Sequence, residues 1–295
     1  MALAGRWSPT QTRLANGRRL AGKRVLSSVP WASASSKGFD EKTRHHVARR
    51  LTMEDDRSFL YGDGLFETVR VEGGRVRFLE RHRSRLRRSG VALGFDEAHI
   101  EQGCAMLGEP DGQDGLWRVT VSRRDREIAF GGSGRVCGRW RPGLPLAEPL
   151  ALVTMPGFYL PGDSLAEHKT TSWMRSVELR RRARILGADD GVSVSEDGRV
   201  GECSAANLLV LLEERWITPP VKGILPGITR EVLLERGSQK GRLIEEVEVT
   251  QEVLARARAL ALVSTGVGVQ EARSLDGRAL ELGRTSGLKV ILEGL

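Results

Sequence analysis

The chain has 295 residues, 40% of them hydrophobic and 28% charged, with a formal net charge of +8. That is long enough for two domains or one large one around sizeable cores, and no apolar run approaches the length a membrane span needs. Three scattered cysteines (Cys104, Cys137, Cys203) exclude a disulfide framework and a zinc site, and the histidines are not at ligand spacing, so a reducing compartment and no metal are expected.

The positive charge is local. Of the 46 basic and 38 acidic residues, eleven and two fall within residues 1–50, so the rest of the chain is close to neutral. A basic arm on a neutral body, with no basic surface interleaved with aromatics, argues against a nucleic-acid partner for the body. Residues 1–39 hold no acid and include "SSVPWASASSKG". Such a composition fits an organelle transit peptide and equally a disordered extension, so the expected location is the cytoplasm, with an organelle as the alternative.

From Leu51 the pattern becomes regular. "LFETVRVEGGRVRFL" alternates around Gly73-Gly74 and predicts a β-hairpin. "ERHRSRLRRSG" predicts a helix with Leu79, His82 and Leu86 on one face, closed by Gly90. A second helix over "FDEAHIEQGCAMLGE" and a strand over "GLWRVTVSRRD" follow. The Gly- and Pro-bearing segment 135–149 reads as a linker, and "PLALVTMPGFY" opens the second half with a strand.

The second half carries the chemistry. Lys169 stands in "HKTTSW", ahead of a helix whose apolar face is read from Val177, Leu179, Ala183, Ile185 and Leu186 and whose stop is Gly187. Asp197-Gly198 predicts a tight hairpin, which puts Glu202 on the returning strand before the buried strand Leu208–Leu212. A lysine can form a Schiff base with a carbonyl cofactor, and a carboxylate beside a pyridine nitrogen keeps that nitrogen protonated. Pro226-Gly227 then precedes a helix over residues 228–236, placing Ile228 and Thr229 where free N–H groups and the helix dipole favour an anion. A further helix and buried strand lead to the turn at Thr265-Gly266, and "TSGLKVILEGL" predicts a final helix.

"YGDGLFETVRVEGGRVRFLERHRSRL", "HKTTSW", "DGRVGECSAANLLVL", "GILPGITREVLLE" and "STGVGVQEARSLDGR" occur in this order from about Leu51 onward. Together they resemble the class IV aminotransferase family, the fold-type IV enzymes that use pyridoxal 5′-phosphate (PLP). The resemblance implies an α+β enzyme with an N-terminal α/β sandwich domain (51–141) and a C-terminal α/β pseudo-barrel domain (142–295), preceded by the extension 1–50. It implies a homodimer acting on a small-molecule amine. Lys169 would be the catalytic lysine, Glu202 the partner of the ring nitrogen, and Arg85, in "H..RL", a phosphate ligand together with Ile228, Thr229 and Thr265.

The chain departs from the family in three places. The opening strand with its Asn-Gly turn would be displaced to Arg13–Gly22, and Trp173 replaces a frequent tyrosine. The usual "TRG" is altered to "SRR", so neither Arg118 nor Arg123 is assigned the substrate carboxylate. "FETVR" and "ECSAANL" resemble 4-amino-4-deoxychorismate lyases, which release pyruvate and leave 4-aminobenzoate. An aminotransferase for D-amino or branched-chain acids would use the same core residues.

Overall fold

The computed structural model describes residues 56–123, 134–239, 241 and 244–294, all within one unit of the chain. The transit-like segment and the strand expected at Arg13–Gly22 lie outside the described residues. Helix α1 (Arg57–Tyr61) leads into β1 (Gly64–Glu72), which turns through Gly73 and Gly74 into the two-residue β2 (Arg75–Val76). Both glycines take positive φ, 54° and 75°, as the hairpin requires.

β1 pairs with β3 (Gly115–Arg123) and β3 with β4 (Gly134–Pro142), giving an antiparallel sheet of order β2-β1-β3-β4. Helices α2 (Leu79–Ala92) and α3 (Glu97–Leu107) cover one face, where Leu65, Val69 and Val71 meet Leu86, Ile100 and Leu107. Gly90 does not end α2. The helix runs through it, and a Cβ there would lie 2.6 Å from Ile100 of α3, so the glycine permits close helix packing rather than a stop. The expected linker at 135–149 is in large part β4, because Gly138 is needed inside the strand: a Cβ there would overlap the Trp117 ring.

The second sheet begins with β5 (Leu150–Pro156). A 3-10 turn (Ser164–Glu167) and α4 (Met174–Ile185) lead to β6 (Asp190–Val194), β7 (Val200–Cys203), β8 (Asn207–Leu212) and β9 (Arg215–Thr218). Then come α5 (Ile228–Gln239), β10 (Ile244–Glu246), α6 (Gln251–Ala255), β11 (Ala259–Ser264), β12 (Gly268–Leu275), β13 (Arg278–Ala279) and α7 (Ser286–Glu293). The order is β10-β9-β8-β11-β12-β5-β6-β7, with β13 on β12. The pairs β5/β6, β5/β12 and β9/β10 are parallel and the rest antiparallel, so the class is α+β.

Alternation gives this sheet two apolar faces. Leu208, Val210, Leu260 and Leu262 pack with Val249 and Leu254, whereas Leu209, Ala261 and Val263 pack against α5 and α7. Helix α4 buries only Leu179 and Ala183; Val177, Ile185 and Leu186 are exposed, against the face expected for them. Val177 stands about 160° round the helix from Leu179, so one narrow stripe cannot bury both. Among the described residues no helix is long and apolar enough to cross a membrane.

Candidate active site

The segment bearing Lys169 belongs to the second half of the chain but is held by the first. Phe66 N donates to Lys169 O at 2.9 Å and Thr171 N donates to Gly64 O at 2.8 Å, with a bridge between Leu65 and Thr170. Gly62 makes room for this crossing, since a Cβ there would lie 2.8 Å from Ser172 Cα. The Lys169 ammonium stands 4.6 Å from the centre of the Phe66 ring and 4.9 Å from that of Trp173, and the rings are 4.8 Å apart. Trp173 Nε1 donates to Ser204 O at 3.3 Å, which fixes one wall. Burial, then the Arg85 charge, pushes the Lys169 amine down to about 8, with Glu67 and Glu202 opposing only in part.

Glu202 lies on β7, as the hairpin reading predicts, with Gly198 turning at φ 83°. Leu225 N donates to its Oε1 at 3.2 Å and Asn207 Nδ2 to its Oε2 at 2.9 Å. Burial pushes its carboxyl up to about 7, and the Leu225 amide and the charges of Lys169 and Arg85 do not bring it back. The side chain is thus oriented by two donors yet lacks a direct cationic partner among the described residues, the condition in which a carboxylate favours a protonated ring nitrogen.

Arg85 is buried on α2. Its Nε and Nη2 each donate to Glu67 at 2.7 Å, and Nη1 donates to Pro226 O at 2.9 Å, which ties it to the turn before α5. Glu67 also meets His82 Nδ1 at 2.8 Å. Burial favours a neutral Glu67, but Arg85 and His82 outweigh it and hold the carboxyl well below the usual range. Burial pushes the His82 imidazole down, so it is neutral, with Nδ1–H donating to the carboxylate; its Nε2 is the buried side-chain atom without a partner among the described residues. Glu67 was not singled out from sequence, and His82 was read there only as part of the helix face and of "H..RL". The signal was there: Glu67 interrupts the apolar register Leu65, Val69, Val71, where an unpaired carboxylate would be untenable.

Ile228 and Thr229 occupy the first turn of α5, both buried. Asn207 links the segment leading into α5 to Glu202, donating also to Leu225 O at 2.9 Å. Gly227 packs directly on Asn207, since a Cβ there would overlap its Oδ1. Thr265 lies in the turn between β11 and β12, two residues beyond Val263, the pairing partner of Asn207. Arg70 Nη1 donates to Gly266 O at 2.8 Å and fastens that turn to β1. Direct contacts therefore join Arg85, Glu202 and the start of α5, while Lys169 and Thr265 reach the cluster through electrostatics and strand register.

Of the two arginines left unassigned, Arg123 is engaged elsewhere, donating to Asp63 at 2.8 Å and to Leu93 O. Arg118 stacks its guanidinium 3.5 Å from the centre of the Phe66 ring, the ring that Lys169 also meets.

These residues fit PLP. An amine with a lowered pKa suits the aldehyde, an oriented carboxylate suits the ring nitrogen, and the first-turn N–H groups of α5 suit the phosphate. Among the described residues the hydroxyls of Thr229 and Thr265 have no hydrogen-bond partner and remain available.

The chain is similar to several known proteins. D-alanine aminotransferase of Bacillus licheniformis is 26% identical over 241 residues, covering 78% of this chain and 84% of that protein. The bifunctional aminodeoxychorismate lyase and D-amino acid transaminase of Mycobacterium tuberculosis is 27% identical over 264 residues, covering 78% and 88%. A solved structure of a hypothetical aminotransferase from Mycobacterium tuberculosis in its PLP-bound form superposes with a TM-score of 0.69 at 26% identity, covering 84% of this chain and 93% of that one. Residues 64–275 match the family described as amino-transferase class IV, so this chain is an enzyme and belongs to the class IV aminotransferases.

Proposed function

We propose that the protein is a PLP-dependent enzyme that eliminates pyruvate from 4-amino-4-deoxychorismate. The observation that carries the PLP reading is the Lys169 amine, lowered to about 8 between Phe66 and Trp173 and within electrostatic reach of both Glu202 and Arg85. When bound, PLP supplies a carbonyl for the substrate amine and a ring that accepts an electron pair. Lys169 takes the proton from the amine-bearing carbon and returns one to the departing pyruvate group, a role suited to an amine that is partly neutral near pH 7. Glu202 keeps the ring nitrogen protonated. Arg85, held by Glu67, and the α5 turn with Ile228 and Thr229 grip the phosphate beside Thr265, and Phe66 and Trp173 keep water from the amine.

The lyase step is favoured by the wording "ECSAANL" and by the bifunctional relative. Transamination is the second reading, favoured by the D-alanine aminotransferase likeness. A homodimer is part of the proposal, with exposed Phe59, Tyr61 and Met174 as apolar surface for a partner copy. The proposed compartment is the cytoplasm, in keeping with the unpaired Cys104, Cys137 and Cys203.

The first test is a visible spectrum before and after borohydride, beside Lys169→Ala. A borohydride-sensitive band is expected in the wild type and absent in the variant, whose turnover falls by at least about 10²-fold; a wild type without the band defeats the cofactor assignment. Pyruvate release with no added keto acid then supports the lyase, and a strict requirement for a keto acid supports transamination.

A further inference from the structure

Antiparallel pairing between β6 and β7 stops at Cys203, the partner of Val192, so the strand ladder no longer holds the next residue, Ser204. Asp190, the first residue of β6, takes over. Its carboxylate accepts from Ser204 Oγ and from Gly191 N, each at 2.8 Å. Asp190 and Ser204 are both buried, and the cation that pairs with the acid, Arg180, reaches it only at 3.5 Å from a half-exposed side chain. Burial pushes the Asp190 carboxyl up, and Arg180 and the hydrogen bonds do not bring it back.

A staple at a strand end can be made from neutral polar groups, without the cost of burying an acid. What this acid holds gives it a direction. Ser204 O accepts from Trp173 Nε1 at 3.3 Å, and the centre of the Trp173 ring lies 4.9 Å from the Lys169 ammonium. Trp173 stands at the entrance of α4, where its side chain makes no capping bond, so the ring is set by Phe66 on one side and Ser204 on the other.

Resting on the PLP reading of Lys169, we propose that Asp190 is a positioning residue: through Ser204 it holds Trp173 across the Lys169 amine, as the wall that keeps water from that nitrogen. The acid acts at two removes. Its loss therefore changes the solvation of the amine and leaves in place the charges that face it, Arg85, Arg118, Glu67 and Glu202.

The test follows hydrogen exchange of the indole N–H groups by NMR on the full chain as purified, in wild type, Asp190→Ala and Ser204→Ala, with Trp173→Phe to identify the Trp173 signal. Trp117 is the internal control, because its Nε1 makes the same kind of bond, to Met106 O at 2.8 Å, in the other sheet. Exchange at Trp173 should quicken by about tenfold in D190A and S204A, while exchange at Trp117 stays as in wild type. Unchanged exchange at Trp173 in S204A, or in a folded D190A, overturns the relay. The pH midpoint of the Lys169-dependent visible band is read on the same samples. It should rise by about half a pH unit or more in both variants, because water that reaches the nitrogen favours its charged form. A midpoint that stays put while the indole exchanges faster overturns the role of the wall. A wild type without the band counts against the PLP reading, and the indole exchange then decides whether Asp190 holds Trp173.

Discussion

Glu67 holds Arg85 by both carboxylate oxygens at 2.7 Å, although each side chain is almost fully buried, 1% and 4% exposed. The arginine proposed to hold the phosphate is thereby aimed before any phosphate arrives. Neither member of such a pair tolerates loss of the other.

Glu67→Gln should lower unfolding stability by about 3–5 kcal/mol, because the Arg85 charge is left buried without compensation. Urea denaturation measures this. The double variant Glu67→Met with Arg85→Met should lose clearly less stability than the sum of the two single changes. Strict additivity would show that the two side chains do not act as a pair.

Glu202 gives the cofactor-free protein a characteristic pH response. Its carboxyl is raised to about 7 from an ordinary 4.5, so between these values the folded protein holds a proton that the unfolded chain has released. Stability therefore falls as pH rises through that window. Glu202→Gln removes this contribution, so the stability of the variant relative to wild type should increase from pH 4.5 to pH 8. Lys169 acts with the opposite sign higher up: lowered from 10.5 to about 8, it makes stability rise with pH across that interval, in wild type but not in Lys169→Ala. Urea titrations at four pH values test both slopes, and parallel curves for Glu202→Gln and wild type would count against the raised carboxyl.

Gly227→Ala should weaken PLP binding by about tenfold. The added methyl must displace Asn207, which orients Glu202, and Asn207 is buried with two hydrogen bonds to lose. The measurement is PLP affinity from the visible band. Unchanged affinity would show that Asn207 shifts without disturbing Glu202.

Much of the site was legible because its chemistry is written in short runs. Asp197-Gly198 dictates a turn that puts Glu202 on a strand, and Pro226-Gly227 starts a helix whose first turn is Ile228-Thr229. What stayed hidden depends on contacts between distant segments. Gly90 and Gly138 looked like breaks, yet each makes room for a side chain from another element, Ile100 and Trp117. Val177 and Ile185 looked like core because periodicity counts apolar residues without knowing how wide a stripe the neighbouring sheet will cover. Arg139 was concealed in a segment read as a linker, so its position opposite Arg118 emerged only from strand register. The pairing of Glu67 with His82 was overlooked because a carboxylate and an imidazole fifteen residues apart carry no joint signature until a hairpin and a helix fold them together.

The lysine crosses from its own half to lean on β1, and Thr171 and Gly64, which make this contact, are 107 residues apart in the chain. Closing so long a loop is entropically uphill until both sheets exist to reward it. A nascent or misassembled polypeptide therefore displays an ordinary ammonium at this position. The lowered amine is an emergent property of finished tertiary structure, so the cofactor capture proposed for it would report on correct assembly.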